Sequence, residues 1–89
     1  MNIMEWNQDA QELLEELVQP IPVFVRPMAK KKIENIILGG VEGESVTKDD
    51  VVKGYIIASP GDMQERAVKL LKAKGIDLAQ FETTLEKAK

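Results

Sequence analysis

The sequence predicts an all-α protein, folded as a small orthogonal bundle of about five short helices. Three observations support this prediction. Apolar residues recur at steps of three and four, no segment alternates apolar and polar residues over the length of a strand, and helix end signals follow one another at short intervals. Short connections between short helices are typical of such a bundle and not of a long coiled coil.

The first predicted helix begins after Asn7, whose side chain is of a type that caps helix N-termini. Pro20 and Pro22 end it, because proline lacks the N–H that an intrahelical hydrogen bond requires. Trp6, just ahead of the cap, is expected to be buried against a neighbouring helix. The apolar positions recur at helical spacing and form one buried face: Ala10, Leu13, Leu14, Leu17 and Val18.

The second predicted helix spans about residues 24–38. Pro27 sets its start, since proline is tolerated in the first turn of a helix, where its missing N–H would be unpaired anyway. Lys30 and Glu34 stand four residues apart and are expected to pair on the solvated side. Residues 39–45, rich in glycine and acidic, are predicted to form a connecting loop and not a phosphate cradle. The expected buried stripe of the helix consists of Val25, Met28 or Ala29, Ile33, Ile36, Ile37 and Gly40.

The third predicted helix opens at Thr47 with a capping box. Asp50 stands three residues on, where its carboxylate can accept a hydrogen bond from the backbone N–H of Thr47, although Glu or Gln is commoner there. The expected buried residues of this helix are Val51, Val52, Tyr55 and Ile56.

The last two predicted helices have end signals of their own. Ser59 is the expected N-cap of the fourth helix, with Pro60 at its first position. Gly75 is expected to end that helix in the left-handed conformation, and Asp77 is expected to cap the fifth helix. The apolar positions are Met63, Ala67, Leu70 and Leu71 in the fourth helix, and Leu78, Phe81 and Leu85 in the fifth.

Length and composition predict one domain that covers residues 1–89. The chain has neither cysteine nor histidine, which excludes disulfides, thiolate-held iron–sulfur clusters, structural zinc, and Ser–His or Cys–His nucleophile pairs. No pair of carboxylates is spaced to face a shared cleft. We therefore expect a protein that is not an enzyme by itself, with no catalytic residues, metal ligands or cofactor.

The expected location is cytoplasmic, without membrane contact. No apolar run approaches the roughly 20 residues that cross a bilayer, and the N-terminus lacks the basic and apolar regions of a signal peptide. The sequence leaves the oligomeric state open.

Charge is distributed unevenly along a chain whose net charge is −3. Residues 1–19 carry five acids and no base, whereas residues 20–40 carry four bases against one acid. The four bases form one stripe: Arg26, Lys30, Lys31 and Lys32. Such a stripe is either an ordinary solvated face, a docking site for a protein partner or a carboxylated ligand, or a nucleic-acid contact. The overall acidity and the scarcity of arginine argue against nucleic acid as a partner.

The aromatic residues lie on or beside the apolar stripes of their segments, so we expect them to pack in the core and not to form a stacking platform. They are Trp6, Phe24, Tyr55 and Phe81. Met28 and Met63 are likewise expected to fill gaps in the core.

A run of residues in the first half of the chain forms a recognisable pattern. It comprises Trp6-Asn7, Ala10, Leu13 or Leu14, Ile21-Pro22, Phe24-Val25-Arg26, Lys30-Lys31, Glu34, a glycine loop and Val46-Thr47. The pattern resembles the small C-terminal domain of the light-independent protochlorophyllide reductase B subunit, in a free-standing form. The resemblance covers about residues 4–53, with Ile-Pro-x-Phe-Val-Arg as its most specific part; Pro27 and Ile37 depart from the family pattern.

The resemblance implies a three-helix unit at residues 4–53, followed at 54–89 by two helices that either belong to the same domain or form an appended extension. It also implies a link to chlorophyll biosynthesis and photosynthesis. In that enzyme, catalysis resides in larger portions that carry iron–sulfur clusters and have no counterpart in this chain.

The leading interpretation is therefore a non-catalytic helical docking module that recognises a protein partner or a carboxylated ligand. One alternative is an accessory part of an oxidoreductase complex that helps to enclose a tetrapyrrole. Another is a nucleic-acid-binding module that uses Arg26 and Lys30–Lys32. The predicted docking surface consists of Phe24, Val25, Arg26, Lys30, Lys31 and Glu34.

Overall fold

In a computed structural model, which describes residues 5–59 and 61–87, the chain folds into a small bundle of short helices. The α-helices are α1 (Gln8–Val18), α2 (Arg26–Gly40), α3 (Lys48–Ile57), α4 (Asp62–Ala73) and α5 (Glu82–Lys87). A 3-10 helix (Ala79–Phe81) leads into α5, and two-residue strands β1 (Glu5–Trp6) and β2 (Ser45–Val46) complete the elements. The predicted all-α bundle of about five helices is confirmed.

The first helix has the predicted buried face. All five of its predicted core residues are buried: Ala10, Leu13, Leu14, Leu17 and Val18. Asn7 occupies the N-cap position in an extended conformation, but its side chain makes no capping hydrogen bond. The helix ends at Val18, ahead of Pro20, as proline chemistry requires.

The strand pair β1–β2 is the element that sequence reasoning missed. The strands are parallel, with Glu5 opposite Ser45 and Trp6 opposite Val46, and the N–H of Asn7 donates to the carbonyl oxygen of Val46 at 3.0 Å. Two residues are too few to show the alternation by which a strand is recognised. Trp6 lies at this pairing and is half-buried. The sequence had predicted that it would be buried against a neighbouring helix.

The second helix starts later and turns its apolar residues differently from the prediction. It begins at Arg26, with Pro27 in its first turn, and extends through the two glycines to Gly40. Within it only Ile33 and Ile37 are buried. The expectation that Met28, Val25 and Gly40 belong to the buried stripe is wrong, because the neighbouring helices cover a narrower face than the apolar spacing suggests.

The third helix lies at the centre of the bundle, in contact with α1, α2, α4 and α5. Its predicted capping box is present, since Thr47 and Asp50 exchange side-chain and backbone hydrogen bonds. The buried residues include three of the four predicted apolar positions, whereas Tyr55 is half-buried. Gly54 is also buried, and its lack of a side chain allows α2 to approach closely at Ile37.

The connection between α3 and α4 differs from the prediction. Gly61 and not Ser59 occupies the N-cap position of α4, and it has φ +63°, a conformation that favours glycine. Ser59 is instead buried at the end of the preceding connection. The prediction of a proline at the first helical position concerns Pro60, which lies outside the described residues.

The end of α4 follows the predicted chemistry, whereas the last helical segment starts later than predicted. Gly75 has φ +79°, and the N–H of Ile76 donates to the carbonyl oxygen of Leu71 at 3.0 Å, which is the bond that defines a Schellman motif. The prediction that Asp77 is the N-cap of the fifth helix is wrong, because Leu78 is the N-cap of a 3-10 helix that precedes α5. The Asp77 carboxylate instead accepts a hydrogen bond from the N–H of Ala79 at 3.0 Å, two residues on. These contacts turn the chain back so that Phe81 can reach the core.

A single cluster of buried apolar side chains draws on both halves of the chain. Leu71, Leu78 and Phe81 join it from the last third of the sequence. The residues contributed by positions 1–53 are Ala10, Leu13, Leu14, Leu17, Val18, Ile33, Ile37, Val46, Val51 and Val52, and Ile56 completes the set. The prediction of one domain over residues 1–89 is consistent with this cluster and stays a prediction.

Candidate functional site

The most conspicuous surface feature is a group of apolar side chains exposed at the start of α2. Val23 is 72% exposed, Phe24 87% and Met28 78%, and Val25 beside them is also exposed. We call these four residues the apolar turn. The expectation that Phe24 and Met28 pack in the core is wrong, and so is the same expectation for Met63, which is exposed on α4.

Local backbone geometry explains why the apolar turn projects from the molecule. The carbonyl oxygen of Pro22 accepts hydrogen bonds from the N–H of Val25 at 3.1 Å and of Arg26 at 2.9 Å. The chain therefore makes one tight turn before α2 begins, and Pro27 follows with no N–H to be paired. Prolines on either side of the turn thus hold its residues clear of the bundle.

The side chain of Arg26 stabilises this turn by hydrogen bonds to backbone carbonyl oxygens. Its Nη2 donates to the carbonyl oxygens of Gln19 at 2.9 Å and Ile21 at 3.0 Å, and its Nε donates to Ile21 at 3.2 Å. The planar guanidinium is suited to such a multiple contact, because it presents several donors in fixed directions. Arg26, predicted to bind a ligand, here bonds to the connection between α1 and α2.

Lys30 likewise has a partner within the chain, at the partly exposed edge between α1 and α2. It forms an ion pair with Glu15 of α1, and the predicted pair of Lys30 with Glu34 is not among the ion pairs of the described residues. Glu34 is half-buried on the same side of α2. The positions 26, 30, 33, 34 and 37 recur at helical spacing, so they form the face of α2 that is directed at the bundle, where α1 and α3 lie.

A groove of about 580 Å³ lies between α1 and α2. Its walls carry four carboxylates and one lysine, together with an aromatic and an aliphatic residue. The lining residues are Trp6, Gln11, Glu12, Leu14, Glu15, Glu16, Lys30 and Glu34. An anionic ligand that approached Lys30 would meet these carboxylates, so the groove disfavours the carboxylated ligand that the basic stripe was predicted to hold.

The outer face of α2 has the opposite character. Lys31 and Lys32 follow Met28 at steps of three and four, so they share its face and lie one turn further along the helix. Both lysines are exposed, and neither takes part in an ion pair within the part of the chain that the structure describes. The apolar turn and these two lysines form a continuous strip, apolar at one end and cationic at the other.

The predicted docking surface is thus divided between two sides of α2. Phe24, Val25 and Lys31 lie on the outer, solvated side, whereas Arg26, Lys30 and Glu34 make or face contacts with the α1 side. The predicted docking surface did not include Val23, Met28 or Lys32, although Lys32 belonged to the predicted basic stripe. The sequence does contain one signal for this strip. Met28 follows Phe24 by four residues, and Lys31 and Lys32 follow Met28 by three and four.

The structure also bears on other classes of site. Within residues 5–59 and 61–87, no three acidic side chains come together in a way that could hold a metal ion. Burial raises the pKa of the Tyr55 phenol above its usual 10.0 by desolvating the phenolate. Over the same described ranges, no helix combines the length and the apolar character that crossing a bilayer requires.

Comparison with known proteins gives two matches. The model of a family described as "Protein of unknown function (DUF2621)" matches residues 1–85. The chain is also similar to a protein of Bacillus subtilis (strain 168) named "Membrane protein YneK", with 36% identity over 84 residues, which are 91% of this chain and 59% of that protein. The chain therefore spans about three-fifths of the length of this relative. No solved structure matches this chain.

These matches correct the interpretation based on resemblance. Membership of the protochlorophyllide reductase family is wrong, and the docking function, the accessory oxidoreductase role and the link to chlorophyll biosynthesis that were inferred with it are wrong too. The most specific part of that resemblance was the short string from Ile21 to Arg26. In the structure this string forms a turn closed by its own arginine, so a local arrangement accounts for it.

Proposed function

We propose that this chain, which belongs to the DUF2621 family, is a helical module that binds the surface of a lipid bilayer through the apolar turn. The observation that carries the proposal is the exposure of Val23, Phe24 and Met28 at one projecting point of the molecule. Each would bury its side chain in the boundary between lipid headgroups and acyl chains, while the rest of the bundle stays in water.

The energetics favour such a contact. Burying a Val, Phe or Met side chain fully is worth about 1.5–3 kcal/mol, so three of them supply at most about 5–9 kcal/mol. Immobilising the protein at a surface consumes part of this gain. We therefore expect reversible binding of moderate strength, comparable to that of a peripheral membrane protein and far weaker than insertion of a spanning helix.

The relative from Bacillus subtilis supports the proposal, because its name describes it as a membrane protein. The chain covers 59% of that protein, so the activity of the whole relative is not transferred to this chain. The proposal replaces the sequence-based expectation of no membrane contact. It keeps the expected cytoplasmic location, with the inner face of the membrane as the surface that is bound.

The proposed action is binding and not catalysis. A chain without cysteine or histidine lacks the commonest nucleophiles and general bases, and this remains the reason to expect no enzymatic activity. The expected protein partner stays a prediction, and nucleic acid remains disfavoured by the acidic net charge.

Sedimentation with phospholipid vesicles tests the proposed function. The whole chain should co-sediment with vesicles, and Phe24→Ser combined with Met28→Ser should lower the bound fraction by about tenfold or more. Both residues are exposed, so the double variant should keep the helical circular dichroism and the melting temperature of the parent.

The matched control combines Ile57→Ser with Met63→Ser. These residues are also exposed apolar side chains, 49% and 59%, but they lie outside the apolar turn. Equal loss of binding in the control would contradict a role specific to the turn. Absence of binding to any vesicle, together with a dimer in sedimentation velocity that Phe24→Ser dissociates, would assign the turn to a second copy of the chain instead.

A further inference from the structure

We infer that the lipid surface recognised by this module is anionic, and that Lys31 and Lys32 make the contact with its phosphate groups. The inference rests on the proposed function and names its partner more closely. Its basis is the position of two exposed ammonium groups one helical turn beyond Met28, on the same face of α2 as the apolar side chains.

The geometry separates the four bases of this region into two kinds. Arg26 donates to backbone carbonyl oxygens, and Lys30 pairs with Glu15, so both charges already have partners within this chain. Lys31 and Lys32 point to the solvated side, beside the apolar turn. When Phe24 enters the headgroup boundary, long flexible lysine side chains one turn away can extend to the level of the phosphates.

The charge of the whole chain favours the same pose. Residues 20–33 contain four bases and no acid, a charge of +4, whereas the rest of the chain has eight bases and fifteen acids, a charge of −7. An anionic surface would attract the first region and repel the second. The acids of α1, including Glu15 and Glu16, lie toward the other side of α2 and would face away from the lipid. Electrostatics therefore selects one orientation of the bundle at the membrane.

The size of the effect follows from the number of cations. Each Lys or Arg near a membrane that contains anionic lipid strengthens binding by about fivefold at physiological salt. Two lysines together should give a preference on the order of thirtyfold for anionic over neutral vesicles. Screening should remove most of this preference at about 1 M salt, where the Debye length is about 3 Å.

The test compares two vesicle compositions, phosphatidylcholine alone and phosphatidylcholine mixed with phosphatidylglycerol. The whole chain should bind the mixed vesicles about thirtyfold more tightly, and the double variant Lys31→Glu, Lys32→Glu should lose this preference. The control is Lys69→Glu with Lys72→Glu, which makes the same change in net charge on exposed positions of α4. The control should keep most of the preference.

The outcomes separate the inference from the proposed function. Equal binding to both compositions would overturn the inference and leave the function in place, because the apolar turn alone would then carry the contact. An equal loss in the control variant would also overturn it, since net charge and not the lysine site would be responsible. Binding to neither composition would refute the proposed function itself.

The orientation has its own readout, because a chain without native cysteine accepts a single label at a chosen site. An environment-sensitive dye on Val23→Cys should shift its emission when anionic vesicles are added. The same dye on Glu12→Cys, on the exposed side of α1, should not. A shift at the α1 label equal to that at position 23 would contradict the proposed pose.

Discussion

At Gly54 the absence of a side chain lets the backbone of α3 lie against α2. A Cβ atom added there would overlap Cγ1 of Ile37 and stand 3.0 Å from its Cα. We predict that Gly54→Ala lowers the free energy of unfolding by about 1–2 kcal/mol, although alanine is the better helix former by about 1 kcal/mol, because overpacking outweighs propensity. Urea denaturation measures the change.

Gly39→Ala is the matched control for that prediction. Gly39 lies within α2, and nothing lies within 4 Å of a Cβ built on it. Here only the gain in helix propensity operates, so we expect the free energy of unfolding to rise by up to about 1 kcal/mol. Stabilisation by both substitutions would show that α2 and α3 can separate at no cost, contrary to the packing described.

Tyr55 provides a prediction about pH. Because burial raises the pKa of its phenol, the native state holds this proton more tightly than the unfolded chain does. The stabilising contribution is therefore complete below pH 10 and is lost as the pH rises through the folded-state value. Tyr55 is the single tyrosine, so ultraviolet absorbance reports its titration directly, with a midpoint expected above 10.0.

Tyr55→Phe is the comparison that isolates this effect, because it removes the phenolic hydroxyl and keeps the aromatic ring. The variant should lose stability less steeply than the parent above pH 10. Superimposable stability profiles, or a phenol midpoint at or below 10.0, would contradict the assigned burial.

Single residues also show where sequence reasoning succeeds and fails. Leu13 and Leu17 were placed in the core correctly, because they belong to a stripe whose opposite face is strongly acidic. Phe24 and Met28 carry the same apolar signal, yet they are exposed. Hydrophobic spacing identifies a face of a helix, but it does not state whether the rest of the chain is available to cover that face.

Among the elements, α3 depends most clearly on a local signal. The Thr47 N–H and Oγ1 both donate to Oδ2 of Asp50 at 2.9 Å, and the Asp50 N–H donates to Oγ1 of Thr47 at 3.3 Å. We predict that Thr47→Ala lowers the free energy of unfolding by about 1 kcal/mol, because α3 loses its cap while it remains packed against its neighbours. Denaturant titration should show a lower midpoint with an unchanged slope.

Thr47→Ser keeps a hydroxyl oxygen at the same position and should cost much less than the alanine substitution. If Thr47→Ser lowered the free energy of unfolding as much as Thr47→Ala does, the cause would be the missing methyl group and not the capping hydrogen bonds. This helix start was predicted correctly because all its partners lie within four residues of one another.

Other contacts join residues that are far apart in the sequence, and sequence reasoning missed these contacts. The pairing of Lys30 with Glu15 joins two helices, so it competes with the local pair to Glu34 that helical spacing suggests. The strand pair joins residues some forty positions apart. Neither contact has a local signature. The division of the four bases between two sides of α2 likewise depends on contacts with other segments, Lys30 with Glu15 and Arg26 with the connection between α1 and α2.

For the whole molecule, the shared core makes a prediction about the two halves of the chain. Leu71, Leu78 and Phe81 belong to the same buried cluster as the residues of α1 and α3. Their burial is worth about 5–9 kcal/mol, similar to the total of about 4–13 kcal/mol expected for a domain of this length. We predict that a fragment of residues 1–58 shows no cooperative thermal transition, whereas the full chain unfolds in a single step.

Circular dichroism of the fragment and of the full chain decides the matter. A fragment that melts cooperatively near the temperature of the full chain would make residues 54–89 the appended extension considered as the alternative. Two separate transitions in the full chain would lead to the same conclusion.

The parallel pairing of β1 with β2 also has a kinetic consequence. Closing a chain segment of some forty residues for two short strands carries a large entropic penalty, so this contact should form after the helices have docked and open before they separate. Trp6 is the single tryptophan and sits in that pair. Its fluorescence would therefore report the formation of the β1–β2 pair. Amide hydrogens near Asn7 should exchange with solvent long before those of α3.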